Sequence, residues 1–458
     1  MTYDLLILGG GPAGFRAAER AGHFGLSAAL FEGKALGGVC LNEGCIPTKT
    51  MLYSAKLYDY AKGGAVKYGV TSDGARIDHE FVVARKDRTV KKLVAGVEMQ
   101  MKKARVNVVR ANGILAGRNE EGFFVVEVDG TAYTGKNVLI ATGSSAAIPH
   151  IAGLTEALAN GFAVTNREIL TLKEIPPRLV VAGAGAIGLE MASYFSSAGS
   201  DVTVVEMLDR IGGRLDRDIA ALLQRNYTMR GVKFLTGSRI QTVETGRIRG
   251  VKSNGEAFEL EADKILIAAG RRPNTSGIGL ESLGIELREN GGIRTDDRMQ
   301  TNVKGLFAAG DVNGVSMLAH TAYREAETAV NVIRGIDDAM SYDAIPSVIY
   351  TNPEAASVGE TEESAAEKGL NVKTLKLPLL FSGRYQAENE GGNGILKLML
   401  DEQKRILGTA MLGNPASEII PAMAMAITQR MTVSDLAKTV FPHPTVAEIL
   451  RDAALMEL

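Results

Sequence analysis

Short apolar runs closed by glycine recur along the chain, and their order predicts the architecture. Residues 5–14 read LLILGGGPAG and residues 179–188 read LVVAGAGAIG. In each, an apolar run leads into Gly-x-Gly-x-x-Gly and then into a helix-like segment. A second apolar run follows and ends in an acid, Ala28 to Glu32 in one case and Val202 to Glu206 in the other. Both acids stand at the same offset from the last glycine of their motif. The pattern predicts strand, tight turn, helix and strand, twice over. Three further runs, VLIATG at 138–143, ILIAAG at 265–270 and LFAAG at 306–310, suit strands buried on both faces of a parallel sheet. The first two each close one repeat; the third is expected to return the chain to the first domain.

Residues 147–178 contain Pro149, Pro176 and Pro177 and predict a linker into the second repeat. The pattern changes again around 335–347. Residues 348–359, 372–381 and 395–412 predict an antiparallel sheet, and 416–430 and 433–440 predict helices. Residues 54–63 and 80–104 predict two long helices with Lys and Arg on solvated faces. The expected fold class is therefore α/β, with two Rossmann-like domains and a C-terminal α+β domain.

Composition adds bounds. A length of 458 residues predicts about three domains. A net charge of -2 provides no general attraction to nucleic acid or to an anionic membrane. No apolar run of about 18 residues predicts a membrane span. The start, Met-Thr-Tyr-Asp, lacks the basic residues of a secretory signal, so a cytoplasmic location is expected.

A lone Gly-x-Gly-x-x-Gly is weak evidence, but here each follows a strand, opens a helix and is answered by an acid. Gly9 and Gly183 allow the tight turn. Gly11 and Gly185 let the backbone approach a pyrophosphate, and Gly14 and Gly188 let helix and strand pack closely. Glu32 and Glu206 would accept hydrogen bonds from ribose hydroxyls. Glu206 would also repel a 2′-phosphate, which predicts NAD rather than NADP. Arg210 and Arg214 are the opposing argument and read as surface charges.

The chain has two cysteines, both inside GGVCLNEGCIPTK at 37–49. Taken alone, two thiols would be structural. Here Pro47 can open a helix whose pattern runs through Leu52, Ala55 and Leu57. A thiolate at a helix N-terminus is stabilised by the dipole. Lys49, four residues past Cys45, would share its face and lower the thiol pKa further. Cys40 and Cys45 thus form a pair able to make a disulfide; without convergent His they are thin for zinc, and no metal is expected. At the other end stands Phe441-Pro442-His443-Pro444-Thr445, followed by Glu448. A lone His is usually structural, but dithiol oxidation needs a base near neutral pH, and Glu448 could fix its tautomer. His23, His79, His150 and His320 have no such partner in sequence.

These residues together resemble the class I pyridine nucleotide–disulfide oxidoreductases, and within them the dihydrolipoamide dehydrogenase branch. GGVCLNEGCIPTK, GRRPN at 270–274, GLFAAGDV at 305–312, MLAH at 317–320, YTNPEAASVG at 350–359 and HPTVAE at 443–448 carry the resemblance along essentially the whole chain. It implies an FAD-binding domain at 1–146 and 271–340, an NAD-binding domain at 147–270 and a dimerisation domain at 341–458. It implies that Cys40 meets substrate and Cys45 adjoins the flavin, with Lys49 touching the flavin and pairing with Glu190. Asp311 would bind the ribityl and phosphate portion, Ala319 would lie against the flavin, and Gly113, Thr142 and Gly143 would belong to the FAD site. Ile240 and Gly270 would lie near NAD, and His320 would be structural. His443 and Glu448 would be the acid–base dyad, working in the partner subunit of a homodimer.

The implied activity oxidises dihydrolipoyl groups, carried on a lipoyl domain of a 2-oxo acid dehydrogenase complex or a glycine-cleavage carrier, through FAD to NAD. The alternatives are an NADPH-dependent reductase of glutathione disulfide and a non-catalytic flavin scaffold. One position departs from the pattern: many relatives carry a second His two residues before the catalytic one, where this chain has Phe441.

Overall fold

The structure is a computed structural model and describes residues 2–458. The chain forms two compact units: Met1–Thr50, Val83–Ala147 and Gly270–Ser341 make the first; Met51–Val82, Ile148–Ala269 and Tyr342–Leu458 make the second.

In the first unit the strand Thr2–Leu8 is central. Ala28–Phe31 and then Asn107–Val109 lie parallel on one side; Thr131–Ile140 and then Leu306–Ala308 lie parallel on the other. Leu5 to Leu8 and Ala28 to Phe31 are all buried, as expected of strands covered on both faces. The early part of Thr131–Ile140 also pairs antiparallel with Phe124–Val128, which continues to Ile114–Arg118. The helix Pro12–His23 takes proline in its first turn, where the missing N–H costs nothing. It is pinned to the helix Ala319–Ile333 by Arg16 on Glu327 and by Arg20 on Asn331.

The second unit repeats this order. Its parallel sheet runs Lys233–Leu235, Asp201–Val205, Arg178–Ala182, Lys264–Ile267 and Ala163–Val164. The fifth strand differs in origin. In the first unit it follows the repeat; here it precedes it, inside the segment that reads as a linker. Two residues show no periodicity, so only the open sheet edge beside Lys264–Ile267 selects them. A five-stranded antiparallel sheet follows, ordered Ser347–Ile349, Ala355–Gly359, Ile406–Leu412, Ile395–Leu400 and Lys373–Pro378. Ala416–Thr428, Val433–Lys438 and Glu448–Leu455 are the helices that pack on it.

Two helix boundaries differ from expectation. The helix expected from Pro47, with a second segment at 54–63, is one helix, Cys45–Asp59, closed by a π-turn at Tyr60–Gly64. Proline is accepted anywhere in a first turn whose N–H groups lack intrahelical partners. The helix expected at 80–104 spans His79–Lys103. Among the described residues, no helix is long and apolar enough to cross a membrane.

One buried charge joins parts of the second unit. Strand alternation turns Lys397 away from the face that Leu396 and Leu398 give to the C-terminal helices. Its ammonium meets Asp216 at 2.6 Å, Asp218 at 2.9 Å and Glu362, and both Lys397 and Asp216 are fully buried. Asp216 also caps the helix Arg217–Met229. Lys397→Met strands the Asp216 carboxylate, and removing one partner of a buried pair typically costs about 3–5 kcal/mol. A clearly lower urea midpoint is expected. Lys376→Met, which removes only an exposed contact to Asp218, should change stability by less than about 1 kcal/mol.

Candidate active site

The two glycine-rich loops repeat each other in atomic detail. Gly9 has φ +102°, and a Cβ there would lie 2.3 Å from the Ala141 carbonyl oxygen; a Cβ on Gly14 would lie 1.8 Å from that of Gly9. In the second loop Gly183 has φ +109°, and a Cβ there would lie 2.4 Å from the Ala268 carbonyl oxygen; a Cβ on Gly188 would lie 2.0 Å from that of Gly183. The acids match as well. Glu32 accepts from the N–H groups of Gly10 and Lys34, both at 2.8 Å; Glu206 accepts from Ala184 at 2.7 Å and Leu208 at 2.9 Å.

Gly11 and Gly185 are different in kind. Both cap their helices with extended backbone that any residue adopts, and neither helix has a side-chain cap. A Cβ on Gly185 would meet nothing within 4 Å, and one on Gly11 would meet Gly38 Cα only at 3.8 Å. The protein itself does not require glycine there. Bare backbone faces open space over a helix N-terminus, which fits a pyrophosphate in both loops.

The cysteine segment is fastened to the first loop. Gly37 N–H donates to Gly10 O at 2.8 Å. Gly37 and Gly38 both have positive φ, and a Cβ on Gly38 would lie 2.6 Å from Gly11 Cα. The short helix Gly38–Glu43 carries Cys40, and Asn42 holds it through Leu36 O and Gly38 O. Cys45 then opens the next helix, with Lys49 one turn along.

Both cysteines are half-buried thiols, and their side chains are hydrogen-bonded to each other. The Cys40 thiol is pushed well above the ordinary range, first by this bond and then by burial, with Lys49 opposing. The pair titrates as a unit, and a proton retained on Cys40 leaves the charge on Cys45 at the helix N-terminus.

Two residues absent from the sequence-based site lie within electrostatic reach of this pair. Tyr323 stacks edge-on against Phe15 at 5.7 Å. Its hydroxyl is pushed up to about 12, first by burial and then by the negative charge of the cysteine pair. Arg271 donates from Nε to Ser144 Oγ and from Nη2 to Ser144 O, both at 2.7 Å. Ser144 Oγ donates in turn to Asp311, whose Oδ2 lies 3.8 Å from Arg271 Nε. Burial lowers the Arg271 pKa, while Asp311, Glu43 and Cys45 oppose that. Arg271 lies inside GRRPN, which was the signal available for it; Tyr323 carries none.

Thr142 and Gly143 are clasped by Asn274: Thr142 Oγ1 donates to Asn274 O at 2.7 Å, and Asn274 N donates to Gly143 O at 2.9 Å. Gly270 O accepts from Ala147 N at 3.0 Å. Ala319 begins its helix, and His320 beside it is exposed. Gly113 and Ile240 are core residues in this structure. A Cβ on Gly113 would lie 2.6 Å from Val126 Cγ1, and Ile240 packs with Val180 and Val205. Buried Glu190 accepts the Tyr350 N–H at 3.0 Å. Arg210 is drawn to Glu363 at 3.3 Å, and Arg214 is exposed.

In the second unit, His443 Nδ1 lies 2.9 Å from Glu448 Oε1, and Glu448 Oε2 accepts the Thr445 N–H at 2.8 Å. The Thr445 amide and then His443 hold Glu448 below the usual carboxylate range. A carboxylate on Nδ1 places that proton there and leaves Nε2 as the acceptor. The His443 side chain is 82% exposed, so Nε2 is open to a reactant. Phe441 is half-buried against the C-terminal core. Among the described residues, no group of three or more His, Cys, Asp or Glu could hold a metal ion.

Residues 3–326 match the pyridine nucleotide-disulphide oxidoreductase family, and residues 345–454 match that family's dimerisation domain. The chain belongs to this family. It is 36% identical to dihydrolipoyl dehydrogenase 1 of Arabidopsis thaliana mitochondria, over 99% of this chain and 90% of that protein. It is 36% identical to dihydrolipoyl dehydrogenase of Mycoplasma genitalium, over 99% and 98%. It is also 36% identical to leghemoglobin reductase of Glycine max, over 99% and 87%.

Among solved structures, LpdA of Mycobacterium tuberculosis superposes with a TM-score of 0.88 at 25% identity, covering 100% of both chains. The HOCl-induced flavoprotein disulfide reductase RclA of Escherichia coli gives 0.85 at 26%, covering 99% of this chain and 100% of that one. This family member is a flavoprotein disulfide oxidoreductase with a redox-active Cys40–Cys45 pair. Its family binds FAD and a pyridine nucleotide.

The inequality of the thiols is measurable. In Cys45→Ser the neighbouring thiolate is gone, so the pH profile for alkylation of Cys40 by iodoacetamide should move to lower pH than in the reduced wild type. An unchanged profile would remove Cys45 as the cause.

Proposed function

We propose that this oxidoreductase is a dihydrolipoamide dehydrogenase. It oxidises the dihydrolipoyl groups of a lipoyl-bearing acyltransferase or glycine-cleavage carrier to the disulfide and reduces NAD+. The observation that carries the reading is the second cradle. Glu206 is held at the strand end by two backbone N–H groups, and Arg210 is engaged by Glu363. A carboxylate fixed there favours a ribose hydroxyl over a 2′-phosphate. The matched relatives named dihydrolipoyl dehydrogenase support the substrate.

The first step on the protein is a proton transfer. His443 Nε2 takes the proton of one substrate thiol, and Glu448 stabilises the imidazolium through Nδ1. The substrate thiolate attacks Cys40 Sγ in the oxidised pair, forming a mixed disulfide, and Cys45 leaves as a thiolate. The helix N-terminus and Lys49 favour that leaving group. His443 passes that first proton on to Cys40 as it departs and takes the proton of the second substrate thiol, which closes on the first sulfur; the raised pKa of Cys40 favours its leaving as the thiol. The substrate has lost two electrons and the cysteine pair has gained them. FAD, which the first glycine-rich loop and Glu32 would hold, would supply a two-electron relay between the cysteine pair and the pyridine nucleotide. The family's dimer supports a reading in which His443 of each subunit serves the cysteine pair of the other.

A steady-state comparison tests this reading. Turnover is expected with dihydrolipoamide plus NAD+, and none above background with glutathione disulfide plus NADPH. His443→Gln should lower the dihydrolipoamide rate by about 10²–10⁴-fold, the usual worth of a positioned general base. The opposite substrate preference would overturn the assignment.

Cofactor choice is a separate measurement. The wild type should have a higher kcat/KM for NAD+ than for NADP+. Glu206→Ala should narrow that gap by raising the KM for NAD+. A wild type that prefers NADP+ would return the role to Arg210 and Arg214.

A further inference from the structure

Glu325 is a fully buried carboxylate that the chemistry above does not use. It projects from the helix Ala319–Ile333 onto the turn that carries Asp311. Its Oε2 accepts the Gly310 N–H at 2.5 Å, and its Oε1 accepts from Asn313 Nδ2 at 2.9 Å. Asn313, also fully buried, accepts the Val315 N–H on Oδ1 at 2.9 Å. One carboxylate therefore grips the turn on both sides of Asp311 and continues through Asn313 to the next loop residue.

The turn has little other freedom. Gly310 has φ +80°, and a Cβ there would lie 3.2 Å from Ala13 Cβ and 3.3 Å from Ala322 Cβ. It passes between the helix that follows the first glycine-rich loop and the helix that carries Glu325. Asp311 faces Ser144 and Arg271 from this turn.

We propose that Glu325 is a positioning residue for flavin binding, acting through Asp311. The inference rests on the reading that Asp311 contacts FAD. A carboxylate is required because both neighbours are donors. In Glu325→Gln the amide NH2 must face either the Gly310 N–H or the Asn313 NH2. Turning the Asn313 amide over to accept it gives up the bond from Val315. A buried donor is left without an acceptor in every arrangement.

FAD release from the full-length holoenzyme, followed by the rise of flavin fluorescence on dilution, tests this. Glu325→Gln should weaken FAD binding by about 10–100-fold, the loss seen when a residue that orients a metal ligand is replaced. Asp311→Asn should weaken it too, and the double variant should be no weaker than Asp311→Asn alone. Glu325→Gln with Asn313→Asp restores one donor facing each acceptor and should recover FAD retention. Additive losses in the double variant, or no recovery in the swap, would overturn the role of Glu325 alone. Wild-type FAD affinity in Asp311→Asn would overturn the reading of Asp311 and the inference with it.

Discussion

The chemistry depends on one close contact between two glycine segments. Gly37 N–H binds Gly10 O, and Gly38 lies so near Gly11 that a methyl group on it would overlap the backbone. This contact sets the redox helix against the loop that fits a pyrophosphate. A thiolate that reacts with its acceptor by nucleophilic attack must reach it directly. A side chain on Gly38 would push the two segments apart. The left-handed backbone at Gly37 and Gly38 has a second consequence, since it turns the chain sharply enough to start a helix with Cys40 in its first turn. Gly44 then breaks that helix and lets Cys45 begin another. The five-residue spacing of the cysteines follows from this short helix and its break.

The two nucleotide loops show how a repeated pattern can have identical local solutions and different surroundings. In both, the first and third glycines are required by carbonyl oxygens of the protein itself, and the acid is tied by the same pair of backbone donors. Only the middle glycine has no such requirement from the protein. Around this constant core the sheets close differently, with a later strand completing the first and an earlier one completing the second. The first loop also serves the redox segment, whereas the acid of the second has an arginine nearby that is engaged elsewhere.

Buried charge recurs as a means of fixing turns. Asp216 and Lys397 hold a helix start against a strand, and Glu325 holds both sides of the Asp311 turn. Each carboxylate has several donors, which offsets the cost of removing it from water. Such groups are directional where apolar packing is not, and they occur where a particular backbone path must be kept.

The amino-acid sequence by itself determined the α/β class, the two loops with their acids, the redox-active pair and the antiparallel C-terminal sheet. These are local features, in which periodicity, glycine spacing and helix capping act over a few residues. Tertiary structure alone decided the two-residue strand Ala163–Val164, which exists only because a sheet edge accepts it. It alone brought Tyr323 to the cysteines, joined Arg271 to Ser144 and Asp311, and drew Arg210 to Glu363. It also placed Gly113 and Ile240 in the core. Their partners lie far away in sequence, and contacts of that kind leave no periodic trace in the chain because they arise only when separate elements pack together.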